Sequence, residues 1–87
     1  MKQIKMTVGP YNAVYGANMI YAGKRTVGYL GSEKDYKGDS YYYATIIFDG
    51  NYVELDSPKL EDILEEGRIE IEKIIADIYG EYEDETN

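Results

Sequence analysis

Seven carboxylates, Glu61, Asp62, Glu65, Glu66, Glu70, Glu72 and Asp77, recur between positions 61 and 77 of this 87-residue chain. At about 100° per residue they gather on one side of a helix, away from the apolar stripe Leu60, Ile63, Leu64, Gly67, Ile71, Ile74, Ile75 and Ile78. Residues one turn apart stand about 5–6 Å from each other, a spacing comparable to that of phosphates along a nucleic-acid strand. The chemistry such rows offer is that of a fixed anion array, which attracts cations. The plain alternative is a solvated face, since Glu favours helix and keeps small domains soluble. Against it stands the shortage of balancing charge, with Lys73 as the only base well inside the face. Like charges at i,i+4, such as Glu61/Glu65 and Asp62/Glu66, cost a few tenths of a kcal/mol each. Ile69 lies opposite Leu60 in the middle of the acids, near Ala76, where it would serve as an apolar contact in an interface.

Catalytic chemistry is poorly supplied. The chain has no His and no Cys, so the usual base at neutral pH and the usual strong nucleophile are both missing. Ser57, one of three serines with Ser32 and Ser40, is better explained as a helix cap. Carboxylate pairs act as general acid and base only where their surroundings push their pKa values apart, and a solvated helix face does not. The strand-to-helix junction Leu55-Asp56-Ser57-Pro58 lacks the glycines and the Lys-Ser/Thr pair of a phosphate loop. EF-hand spacing is absent as well. The expectation is a protein that is not an enzyme and uses no cofactor and no metal.

Charge is divided by position. Residues 1–48 carry a net of +3, and residues 49–87 a net of −11. An acidic surface repels nucleic acid and anionic lipid and attracts basic proteins. Eleven of the twelve aromatics are Tyr, a residue suited to half-buried sheet faces and binding surfaces. Exposed rings of Tyr41-Tyr42-Tyr43 among Lys2, Lys5, Lys24, Arg25, Lys34 and Lys37 offer a second reading, a stacking platform for single-stranded nucleic acid or a small ligand. No segment approaches the ~18 apolar residues of a membrane span, and Met1-Lys2-Gln3-Ile4-Lys5 lacks the apolar run of a signal peptide. A cytoplasmic location is expected.

The elements that must position these groups follow from periodicity. Residues 2–8 alternate as a strand that Gly9-Pro10 breaks. Tyr11 to Ala22 is β-prone with an interruption at Gly16-Ala17-Asn18. Gly23-Lys24 makes a hairpin turn into a strand from Arg25 to Leu30, and residues 31–39 read as an exposed loop. Ser40 to Phe48 is the strongest strand, and Asp49-Gly50 is a hairpin turn into Asn51–Leu55. Ser57-Pro58 starts a helix that Gly80 is placed to end. The fold class expected is α+β: an antiparallel sheet of about five strands, a meander of hairpins, with one long C-terminal helix packed on one face. Residues 1–80 form the single domain and 81–87 an acidic tail.

In Glu61-Asp62, Glu65-Glu66, Glu70 and Glu72 on one helix, and Glu81-Tyr82-Glu83-Asp84-Glu85 at the end, the acidic half resembles the small proteins that phages and mobile elements use against host defence. These are the anti-CRISPR and anti-restriction DNA mimics. The resemblance implies a nucleic-acid-binding host protein as partner, while the acidic charge itself leads to the expectation of no direct binding of nucleic acid or membrane. The interface would comprise the seven helix carboxylates with Ile69, Tyr79, Tyr82, Glu83 and Asp84. A monomer or a homodimer is compatible, and a structural homodimer subunit is a further alternative.

Overall fold

The structure is a computed structural model that describes residues 4–86, with side chains described through residue 78. Five strands, β1 (Met6–Asn12), β2 (Ala17–Ala22), β3 (Arg25–Lys34), β4 (Ser40–Phe48) and β5 (Asn51–Ser57), precede one helix, α1 (Leu60–Thr86). The strands form one antiparallel sheet in the order β1-β2-β3-β4-β5. α1 packs over β4 and β5 and reaches β1. The expected α+β meander with a C-terminal helix on one face is what the chain adopts.

Alternation along the strands sends Ile20, Leu30, Ala44 and Ile46 toward α1, where they meet Ile63 and Ile71 in a buried cluster. Full burial of each of the leucine and isoleucine side chains is worth about 1.5–3 kcal/mol. Gly67, also buried, lies against Ile46 and Met6, close enough that even a methyl group there would stand 3.3 Å from both side chains. The helix therefore sits close to the sheet. Val27 joins the core through a register shift between β2 and β3, where Ile20 faces Gly28 and Tyr21 faces Thr26.

Several boundaries differ from the sequence expectation. The segment from Tyr11 to Ala22 is not one strand with a bulge at Gly16-Ala17-Asn18: Tyr11 and Asn12 end β1, residues 13–16 turn, and β2 begins at Ala17. β5 runs on to Ser57, and α1 begins at Leu60, two residues after Pro58. Three further differences have a clear physical reason. Gly9-Pro10 does not end β1, because the register shift between Val8 and Tyr11 absorbs both residues. β1 is an edge strand, so the missing N–H of proline removes no ladder bond. β3 continues through Gly31, Ser32, Glu33 and Lys34, which pair with Tyr43, Tyr42, Tyr41 and Ser40. The β-prone partner strand imposes order on a segment with little strand preference of its own. The remaining loop is short, and the Asp35 carboxylate accepts from the backbone N–H of Lys37 and of Asp39, each at 2.9 Å. Last, α1 runs past Gly80 to Thr86, so positions 81–86 belong to the helix. One glycine costs a helix about 1 kcal/mol, which the helix formers around it absorb.

The expected turn between β4 and β5 is present, with Asp49 at φ 50° and Gly50 at φ 80°. Both angles are those of the primed turn that matches strand twist. At the junction to α1, the Ser57 Oγ accepts from Lys59 N–H at 3.1 Å and faces Asp62 Oδ2 at 3.4 Å. Ser57 is thus buried with partners, and the acid it touches sits at the electropositive end of the helix.

Candidate acidic interface

The seven helix carboxylates do not form an uninterrupted array. Arg68 places one guanidinium between two of them: Nη1 donates to Glu72 Oε2 at 2.8 Å, while Nη2 and Nε donate to Glu65. Lys73 Nζ stands 3.5 Å from Glu70. Asp62 faces Ser57. Glu61, Glu66 and Asp77 have no ion pair or side-chain hydrogen bond among the described residues.

The Arg68 side chain is only 17% exposed, its stem lying along the border of the buried stripe while its head turns outward. Sequence reasoning missed it and credited the face with Lys73 alone. The signal was present in the spacing, since Glu65 and Glu72 stand three residues before and four after Arg68, both within reach on a helix. The consequence is electrostatic. The hydrogen bonds from Arg68, opposed in part by burial, hold the Glu65 carboxyl below its ordinary value of 4.5. Glu65 and Glu72 in turn push the guanidinium pKa up, so it stays charged throughout. Between Leu60 and Ile78 the helix keeps seven acids against two bases. Its negative surplus survives self-pairing, concentrated at Glu61, Asp62, Glu66 and Asp77, for the Ser57 hydroxyl leaves the charge of Asp62 uncompensated.

Ile69 is 38% exposed on the outer side, as expected. Of the other anchors expected from sequence, Tyr79, Tyr82, Glu83 and Asp84 lie outside the residues whose side chains are described.

The opposite face of the sheet carries no covering element among the described residues. Register places Met19, Tyr29, Thr45 and Glu54 in one row across four strands, and Gly31, Tyr43 and Asp56 in the next. Tyr15, from the turn before β2, stacks on Tyr29 with ring centroids 4.7 Å apart, and Tyr41 meets Tyr43 edge-on at 5.4 Å. Tyr43 donates its hydroxyl to Glu33, and Tyr52 donates to Glu54 at 3.2 Å. The bond to Glu33, followed by desolvation of the ring, raises the Tyr43 hydroxyl above its ordinary 10.0. Partial burial and then the charge of Asp56 raise Tyr41 in the same direction. Among the described residues, no Lys or Arg forms an ion pair with Glu33, Glu54 or Asp56.

Among the described residues no group of three or more metal-ligating side chains is drawn together for a metal ion, and no helix is long and apolar enough to cross a membrane. Comparison with known protein families, with curated proteins and with solved structures yields no match to the chain.

Proposed function

We propose that the protein is a non-enzymatic, acidic protein-interaction module, an inhibitor that occupies a basic nucleic-acid-binding surface of a nuclease or other DNA- or RNA-binding protein. The observation that carries this reading is the charge left on α1 once its own cations are used. Arg68 and Lys73 are committed to Glu65, Glu72 and Glu70, and the charges of Glu61, Asp62, Glu66 and Asp77 remain uncompensated, those of Glu61, Glu66 and Asp77 without even a side-chain hydrogen bond among the described residues. The helix adds reach. Its 27 residues extend about 40 Å, the rise of roughly twelve base pairs, and its backbone carries the acidic positions 81, 83, 84 and 85 as a continuation of the rod. Carboxylates on such a rod steer association with a basic groove, and exposed Ile69 supplies an apolar contact within it.

The test is displacement. Nucleic-acid-binding proteins from a lysate of the organism that carries the gene are loaded on double-stranded DNA cellulose at low salt. The purified protein should release one or a few of them, with release weakening as salt rises. A Glu61→Lys, Glu66→Lys, Asp77→Lys variant should release none. If the variant displaces as the parent does, or if the parent displaces nothing, this reading is wrong.

A further inference from the structure

The uncovered sheet face has a chemistry of its own, distinct from that of α1. Between β4 and β5 lies an open depression of about 400 Å³ whose walls include Tyr43, Thr45, Glu54 and Asp56. Cross-strand register sets Tyr43 beside Asp56 and Thr45 beside Glu54. Tyr43, a residue 42% exposed, therefore stands next to two carboxylates that no cation of the described residues neutralises. One strand away, Glu33 is bound to the Tyr43 hydroxyl. Tyrosine hydroxyls thus donate to both Glu33 and Glu54, from Tyr43 and Tyr52 respectively.

We infer that this face docks an arginine-bearing segment of the partner protein, one guanidinium lying on the Tyr43 ring and forking toward Asp56 and Glu54. The planar guanidinium matches both elements, since it stacks on aromatic faces and binds carboxylates through paired N–H groups, whereas an ammonium meets them only as a point charge. Charge selects among occupants. Three carboxylates repel a phosphate backbone, which disfavours nucleic acid despite the tyrosines. A second copy docked face to face brings the same carboxylates against each other, because a two-fold interface pairs like patches. The depression is polar and open, unlike the apolar enclosures that hold small ligands. The inference rests on the reading of the partner as a basic protein and adds a second surface to it.

The experiment uses the full chain labelled with ¹⁵N and the peptide acetyl-Arg-Gly-Arg-Gly-Arg-amide at low salt, with the Lys-Gly-Lys-Gly-Lys analogue beside it. The arginine peptide should shift the amides of Tyr43, Thr45, Glu54 and Asp56 and bind more tightly than the lysine analogue. Glu54→Gln with Asp56→Asn, exposed and nearly isosteric changes, should weaken it about tenfold. The α1 triple-lysine variant should keep these shifts. Shifts confined to α1, or equal affinity in the Gln/Asn variant, would overturn the docking site and leave the α1 reading standing. Concentration-dependent shifts of the same four amides without peptide would identify the occupant as a second copy. Stronger shifts from an oligothymidine strand would identify nucleic acid, and either result refutes the inference.

Discussion

Arg68 Nη1 lies 2.8 Å from Glu72 Oε2, while the Nη2/Nε edge of the same guanidinium donates to Glu65 one turn earlier. One cation therefore ties two carboxylates that sequence alone assigns to a partner. Reversing Glu65 would set a lysine against Arg68 and disturb the helix, so the informative reversals for function are Glu61, Glu66 and Asp77.

Arg68→Gln should reduce stability modestly, less than a core truncation does, and the loss should carry a pH signature. The folded-state value of Glu65 lies below its ordinary 4.5. The stability that the pair contributes is hence fully present above the unfolded value and is lost as pH falls through the lower folded one. Urea midpoints of parent and variant should differ at pH 7 and converge well below pH 4.5. Added salt should narrow the gap at neutral pH. A difference that is the same at pH 7 and pH 3 would refute the assignment.

At the alkaline end the sign reverses. Tyr43 is raised above 10.0 chiefly by its bond to Glu33. Its contribution is present below pH 10 and disappears as pH rises through the folded value. An ultraviolet titration of the eleven tyrosines should show a late-ionising group, from which Tyr43→Phe removes one member. Glu33→Gln should bring that member forward toward the ordinary range.

Gly28 offers the sharpest steric test. A Cβ there would meet the Thr45 carbonyl oxygen at 2.1 Å, and a backbone atom in a paired strand has nowhere to go. Gly28→Ala should destabilise by about 3 kcal/mol. Gly31→Ala, with nothing within 4 Å, should stay within about 0.5 kcal/mol of the parent. Denaturant unfolding of the pair decides it, and equal midpoints would show that β3 and β4 are not packed as closely as described.

Ile63 and Ile71 of α1 are fully buried against the sheet. Truncating either to Ala should cost about 2–5 kcal/mol, a large share of what a domain this small has in reserve. Thermal circular dichroism should register a drop of many degrees, whereas Ile69→Ala on the outer face should scarcely move the transition.

How far the residues disclose the fold depends on how local the signal is. Ser40–Phe48 with Asp49-Gly50 is legible to the residue, because a run of aromatic and β-branched side chains meets a turn with only one good conformation. The continuation of β3 through Glu33-Lys34 is not, since it exists only by pairing with β4. The same holds at the candidate sites. Tyr41 and Tyr43 can be placed on one face by alternation alone, but the carboxylates beside Tyr43 come from Glu33 and Asp56, ten residues before it and thirteen after. Only the register of three strands reveals that neighbourhood. Arg68 was within local reach, and was overlooked because a helical wheel puts it at the border of the stripe and says nothing of where its long side chain turns.

Because every strand of the sheet pairs with its neighbour in the chain, each hairpin closes through a short loop and needs little chain entropy to form. On a ribosome all five strands can be zipped before α1 emerges. The nascent sheet then waits with its aliphatic side bare, and the emergence of the helix doubles as the closing of the core.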